Sequence, residues 1–174
     1  MKKWTSVIVL SLVWTCLLSS SCSTISPNKV YLVRHAEKAS QTAANPNLSE
    51  EGKARAIELS RVLKHKNIGF IYATKYSRSL QTASPLASLK KVPIMLYAPD
   101  SAVNILKTAF KQKKDILIVG HSNTLLPLLK EAGLHPSMAS IADDQYNLLF
   151  VVYVKKGKLF LEERRYGKPS LINE

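Results

Sequence analysis

From residue 29 onward, short and nearly continuous apolar runs alternate with longer stretches whose apolar positions recur every three or four residues. "KVYLVR", Lys29–Arg34, reads as a strand buried on both faces through Val30, Leu32 and Val33. "ASQTAANPN", residues 39–47, is loop chemistry. Ser49 then suits a helix N-cap, with Glu50 and Glu51 favouring the positive end of the dipole. That helix is expected to reach about residue 65 and to bury Ala56, Leu59, Val62 and Leu63.

Strands are expected at residues 68–74, at 92–97 near an edge because of Pro93, and at 115–120. Helices are expected at 77–90, kinked or shortened by Pro85, at 102–113 and at about 123–133. The pattern then changes: 147–154 and 158–166 alternate as strands around the "KKG" turn of 155–157, a terminal hairpin. Strand and helix in alternation imply an α/β fold, a mostly parallel sheet with helices on both faces, to which the hairpin adds antiparallel strands.

The first residues break this pattern. Lys2 and Lys3 precede the apolar run of residues 7–18, and small residues follow it as "SSSCS". A basic start, a short apolar middle and small residues are the parts of a secretory signal peptide. Residues 1–21 are therefore expected to act in export, 22–28 as a tether, and 29–174 as the folded domain. Cys22 behind small residues resembles a bacterial lipoprotein cleavage site, although Ser19 stands where that site usually has Leu. Lipidation of Cys22 and ordinary cleavage in the serine cluster are both open. The expected location is the bacterial envelope, on the periplasmic side or as an outer-membrane lipoprotein, or the medium if the cut is ordinary. Cys16 lies inside the signal, so the mature chain has at most one thiol, and neither a disulfide nor a thiolate metal cage.

Length adds that 174 residues suit one compact domain. Charge adds more. The formal net charge is +13, and +11 without Lys2 and Lys3, much of it in "KHK", "KQKK" and "KKGK". Such a balance raises a nucleic-acid partner. With 7% aromatics, dispersed lysines and an export signal, no nucleic acid is expected, and anionic lipid or anionic substrate suits the charge better.

Ligands of open α/β sheets bind beyond the carboxyl ends of the strands. One strand ends in Arg34 and His35, another is followed by His121 and Ser122, and Arg78 comes soon after a third. Each alone is ordinary. Together they suit a phosphoryl group: guanidiniums fork onto its oxygens, a neutral imidazole can attack phosphorus, and the helix start after His121 offers an anion seat.

"VRHAEK", "YSRSLQTA" and "VGHSNT" together resemble the histidine phosphatase, or phosphoglycerate mutase-like, superfamily. That family carries Arg-His-Gly after its first strand, a second Arg ahead of Gln/Glu-Thr-Ala, and a later Gly-His. "LSEEGKARA", residues 48–56, also looks like its first helix. The resemblance implies that His35 becomes phosphohistidine. It also implies that Arg34 and Arg78 clamp the phosphoryl group, that His121 and Ser122 contact it, and that no metal or cofactor takes part.

Ala36 replaces the usual Gly, as in compact phosphohistidine-phosphatase-like members. Ser122 stands where the other branch has an acidic residue, so the proton donor must lie elsewhere. Asp100, in a place where this branch often puts its acid, is one candidate, and a helix-cap role is its alternative. Glu37 is the second candidate. The implied activity is metal-independent hydrolysis of a small phosphomonoester. The alternatives are a phosphotransferase resembling the mutases, whose long insertions this chain lacks, and a lipoprotein that only binds a phosphorylated ligand.

Overall fold

The computed structural model describes residues 28–169. The expected signal segment, Cys16, Cys22 and the tether up to residue 27 lie outside the described residues.

The elements follow in the order β1 (Lys29–Arg34), α1 (Glu50–Leu63), β2 (Ile68–Ala73), α2 (Ser77–Lys90), β3 (Ile94–Leu96), α3 (Ala102–Ala109), β4 (Asp115–Gly120), α4 (Ser122–Glu131), β5 (Leu148–Lys155) and β6 (Lys158–Arg165). They build one six-stranded sheet in the order β3-β2-β4-β1-β5-β6. β3, β2, β4 and β1 are parallel, whereas β5 pairs antiparallel with β1 and β6 antiparallel with β5. The expected α/β architecture therefore holds, and so does the position of β3 at an edge.

Alternation along the strands divides the core in two. Val30, Leu32, Ile116 and Ile118 pack with α3 and α4 on one face. Tyr31, Val33, Leu117 and Val119 pack with α1 and α2 on the other. Strands fully buried on both sides need such double cover, and the run "DILIVG" is buried throughout.

Several local expectations change. Val62 is 37% exposed, and α1 instead buries Gly52, Arg55 and Ser60 beside Ala56, Leu59 and Leu63. Pro85 neither ends nor divides α2, because Ala83, Leu86 and Ala87 around it are core residues whose burial outweighs one missing backbone bond. α3 stops at Ala109, and the lysine-rich residues after it form a turn. The hairpin turn places Lys156 and Gly157 both at positive φ, 51° and 75°, which matches a two-residue turn to the strand twist.

One close approach serves the rim of the sheet. Ser49 caps α1, its side chain accepting from the Gly52 N–H at 3.1 Å while its own N–H donates to the Glu37 carbonyl at 3.0 Å. Gly52 thereby lies against the Glu37 backbone, and an added Cβ would collide with the Glu37 carbonyl oxygen. Gly52→Ala is expected to cost about 1–3 kcal/mol of stability through this overpacking, read as a lower urea midpoint at unchanged slope.

Candidate active site

Register assembles the site. Arg34 pairs with Gly120 across β1 and β4, so these strands end level with one another. The His35 N–H donates to the Gly120 carbonyl at 2.9 Å. The residues that follow the two strands, His35 and His121, then stand side by side, their ring centroids 5.3 Å apart. β2 pairs Ala73 with Val119, which brings Thr74 level with Gly120. The Thr74 hydroxyl meets His121 Nε2 at 2.9 Å.

The imidazoles are oriented differently. His35 Nδ1 lies 2.8 Å from the Ala36 carbonyl, an oxygen that can only accept, so Nδ1 carries the proton and Nε2 keeps its lone pair. Thr74 donates its own proton to Ser79 Oγ at 2.8 Å, so it accepts from His121 Nε2–H. Both hydroxyl residues are essentially fully buried. Burial, opposed by the Ala36 carbonyl and aided by Arg34, His121 and Arg78, pushes His35 down to about 3. Burial, with Arg78 and Arg34 adding to it, pushes His121 down to about 4. Two neutral imidazoles thus share a rim with two guanidiniums.

Each guanidinium rests on a tyrosine. Arg34 lies 4.1 Å from the Tyr146 ring and Arg78 lies 4.4 Å from the Tyr76 ring. The same tyrosines touch the histidines, Tyr146 at 6.0 Å from His35 and Tyr76 at 5.3 Å from His121. Arg34 Nη1 donates to the carbonyls of Ala142, Asp143 and Gln145 at 2.8, 2.9 and 3.2 Å. That loop fixes the guanidinium plane. The Nε atoms of Arg34 and Arg78 are both buried without a hydrogen-bond partner among the described residues. Two cationic donors held this way against aromatic faces suit an anion with several oxygens.

The "QTA" segment supports the loop after β1. Thr82 Oγ1 accepts from the Ala36 N–H at 2.9 Å and donates to the Arg78 carbonyl at 2.7 Å, joining the two arms of the site. Gln81 accepts from the Leu48 N–H at 2.7 Å. Ala36 itself is fully buried against Leu48 and Ala56, so its methyl group is packed where the resemblance leads one to expect a glycine.

Arg34, His35, Arg78 and His121 are therefore brought together, and half-buried Ser122 opens α4 beside them. The carboxyls differ. Asp100 is exposed in the 3-10 turn Pro99–Ser101, and among the described residues no hydrogen bond or ion pair joins it to the four. It does not cap α3, whose N-cap is Ser101. Glu37 is buried and turned toward α1, where Oε1 receives Arg55 Nε and Nη2, each at 2.6 Å. Its Oε2 is buried without a partner among the described residues, and burial raises the carboxyl while its own backbone amide and Arg55 oppose. Among the described residues no three His, Cys, Asp or Glu side chains converge as a metal site.

Sequence reasoning missed Tyr76, Tyr146, Thr74, Ser79 and the Glu37–Arg55 pair. Tyr76 was accessible as the aromatic two residues before Arg78. Tyr146 lies 112 positions from Arg34, and no local pattern marks it.

Comparison with known proteins agrees with this geometry. Residues 30–98 match the family described as the histidine phosphatase superfamily, branch 1. No curated protein matches the chain. Among solved structures, the fold is similar to the protein histidine phosphatase SixA complexed with tungstate, at 15% identity and a TM-score of 0.60 over 79% of this chain and 96% of that one. It is also similar to a phosphoserine phosphatase from Entamoeba histolytica in complex with 3-phosphoglyceric acid, at 16% identity and 0.64 over 83% and 100%. A mycobacterial glucosyl-3-phosphoglycerate phosphatase shares the fold at 11% identity and 0.56 over 72% and 89%. At such identities these are likenesses of fold. The segment that matches the histidine phosphatase superfamily holds Arg34, His35 and Arg78, and the sheet supplies His121 beside them.

Proposed function

We propose that this protein is a phosphatase that hydrolyses phosphomonoesters through a phosphohistidine on His35. The observation that carries the reading is the neutral His35 imidazole, with its proton held on Nδ1, facing His121 between two arginines. In the first step Nε2 forms a bond to phosphorus while the ester P–O bond breaks and the leaving oxygen takes a proton. In the second, a water oxygen bonds to phosphorus and returns a proton to the group that supplied the leaving oxygen, the N–P bond breaks and phosphate departs. Arg34 and Arg78 stabilise the charge on the oxygens throughout, and positioning with electrostatics supplies the catalysis. A bound phosphoryl dianion favours the protonated form of His121, which then donates to it.

For the leaving-group proton, Glu37 has the raised carboxyl that a donor needs, and Asp100 has the solvent access. This reading places the enzyme in the bacterial envelope, on the strength of residues 1–22 alone.

Three outcomes test it. His35→Asn is expected to lower kcat/KM for p-nitrophenyl phosphate by at least about 10³-fold and to abolish acid-labile phosphate trapped on the protein. In the same assay Asp100→Asn leaves this activated ester nearly unchanged. A selective loss on alkyl phosphates would assign it the proton, and the same loss in Glu37→Gln would assign it to Glu37.

The second outcome concerns pH. Both histidines are depressed below the unfolded value of about 6.5, so the unfolded chain takes up protons that the folded chain refuses. Their contribution to stability is complete above that value and is lost as pH falls through the folded values of about 3 and about 4. The melting temperature is expected to fall from pH 6 toward 4, and the fall should flatten in the His35→Asn/His121→Asn double variant.

Third, in cells fractionated with a high-salt wash of the membranes, the wild-type chain is expected with the membranes and Cys22→Ser in the soluble fraction.

A further inference from the structure

The lysine-rich segments, scattered in the sequence, meet at one end of the folded chain. β1, β2 and β4 run parallel, so the segments that feed them share the pole opposite the His35 rim. "KHK" (64–66) follows α1, Lys90 and Lys91 close α2, and "KQKK" (111–114) leads into β4. β5 is antiparallel to β1, with Lys29 opposite Tyr153, so the "KKGK" turn of 155–158 falls at the same pole.

Hydrogen bonds tie these segments together. Lys90 Nζ donates to the carbonyls of Lys64 and Lys66, each at 2.6 Å, and Lys114 Nζ donates to Asn67 Oδ1 at 3.0 Å. Asp115 is the only acidic residue within residues 61–68, 89–93, 110–115 and 154–160. It is buried, and it accepts from the backbone N–H groups of Lys29 at 2.8 Å and Asn67 at 3.2 Å. Lys130 and Glu131, at the end of α4, offset each other. Exposed cations on this pole therefore go largely unanswered.

Two further observations choose the partner. Three exposed large hydrophobic residues, Val62, Leu89 and Phe160, lie among the lysines, at 37%, 53% and 40% exposure. Phe160 stacks on Tyr153 at 5.7 Å, and Lys29 Nζ stands 5.8 Å from that same ring. The chain also enters the fold here: Asn28 Nδ2 donates to the Ala109 carbonyl at 2.6 Å and to the Lys114 carbonyl at 3.5 Å. Residues 19–27, which separate this pole from the apolar run of 7–18, span at most about 30 Å.

We propose that this pole is a docking surface for the anionic phospholipid headgroups of a membrane. Lysine ammoniums are drawn to such headgroups within about a Debye length, and the apolar side chains between them enter the interfacial layer. A nucleic acid would be served by the cations, but not by Leu89 and Val62. Docked this way, the His35 rim faces away from the bilayer, toward soluble or peripheral substrates. The surface does not depend on the chemistry of His35.

The chain begun at Ser23 retains every strand and helix described above and serves as the test protein. It is expected to sediment with vesicles of phosphatidylcholine containing phosphatidylglycerol, but not with phosphatidylcholine alone, and to release as salt rises. Each lysine facing the bilayer contributes roughly fivefold in partition. A Lys64→Glu/Lys111→Glu/Lys113→Glu/Lys158→Glu variant that melts like its parent should thus lose at least about 100-fold. Glutamine at the same four positions should lose less, in the same direction, and Lys75→Glu, at the catalytic end, should change little. Equal binding to neutral vesicles, unchanged binding by the glutamate variant, or tighter binding to duplex DNA or RNA than to the anionic vesicles would overturn the proposal.

Discussion

The pairing of β1 with β4 governs the rest of this molecule. Arg34 opposite Gly120 makes the two central strands end at one height, and the His35 N–H to Gly120 carbonyl bond extends that register by one residue. A one-residue slip would turn every side chain of β1 to the other face. Tyr31 and Val33 would leave the layer under α1 and α2, and His35 would no longer face His121. The site and the core are therefore specified by the same hydrogen bonds, and the free energy that holds the core also holds the geometry of the rim.

Burial sets the electrostatics of that rim. Two arginines and two histidines would repel one another if all four were charged, and removal from water penalises the imidazolium forms most directly. The histidines give up their protons and the guanidiniums keep theirs. What results is a concentration of positive charge with two uncharged nitrogen bases inside it. Tyrosine faces cover the guanidiniums, and the carbonyls of residues 142–145 hold Arg34 still, so little reorganisation is left for the arrival of an anion.

Parallel strands also give the molecule two unlike ends. The carboxyl ends gather the arginines, the histidines and the N-terminus of α4. The amino ends gather the lysine-rich turns, with Asp115 drawn inward to brace the starts of β1 and β2. Cationic groups thus occupy both poles in different chemical forms. At one end they are planar guanidiniums on tyrosine faces, Arg34 buried and Arg78 half-buried; at the other they are exposed, flexible point charges.

The sequence by itself determined the order of strands and helices, the cap at Ser49, the terminal hairpin and the four cationic or imidazole residues of the rim. These are local matters: apolar periodicity, turn chemistry and short motifs are written in neighbouring residues. Exposure of Val62 and the continuity of α2 through Pro85 were decided by tertiary structure, because packing against the sheet outweighs local preference. The tyrosines beneath the guanidiniums and the Thr74–Ser79 hydroxyls behind His121 join the site only through strand pairing and helix packing. The lysines that seemed dispersed along the chain became one pole for the same reason. A charge cluster in space depends on which strand starts lie together, and long-range pairing alone fixes that.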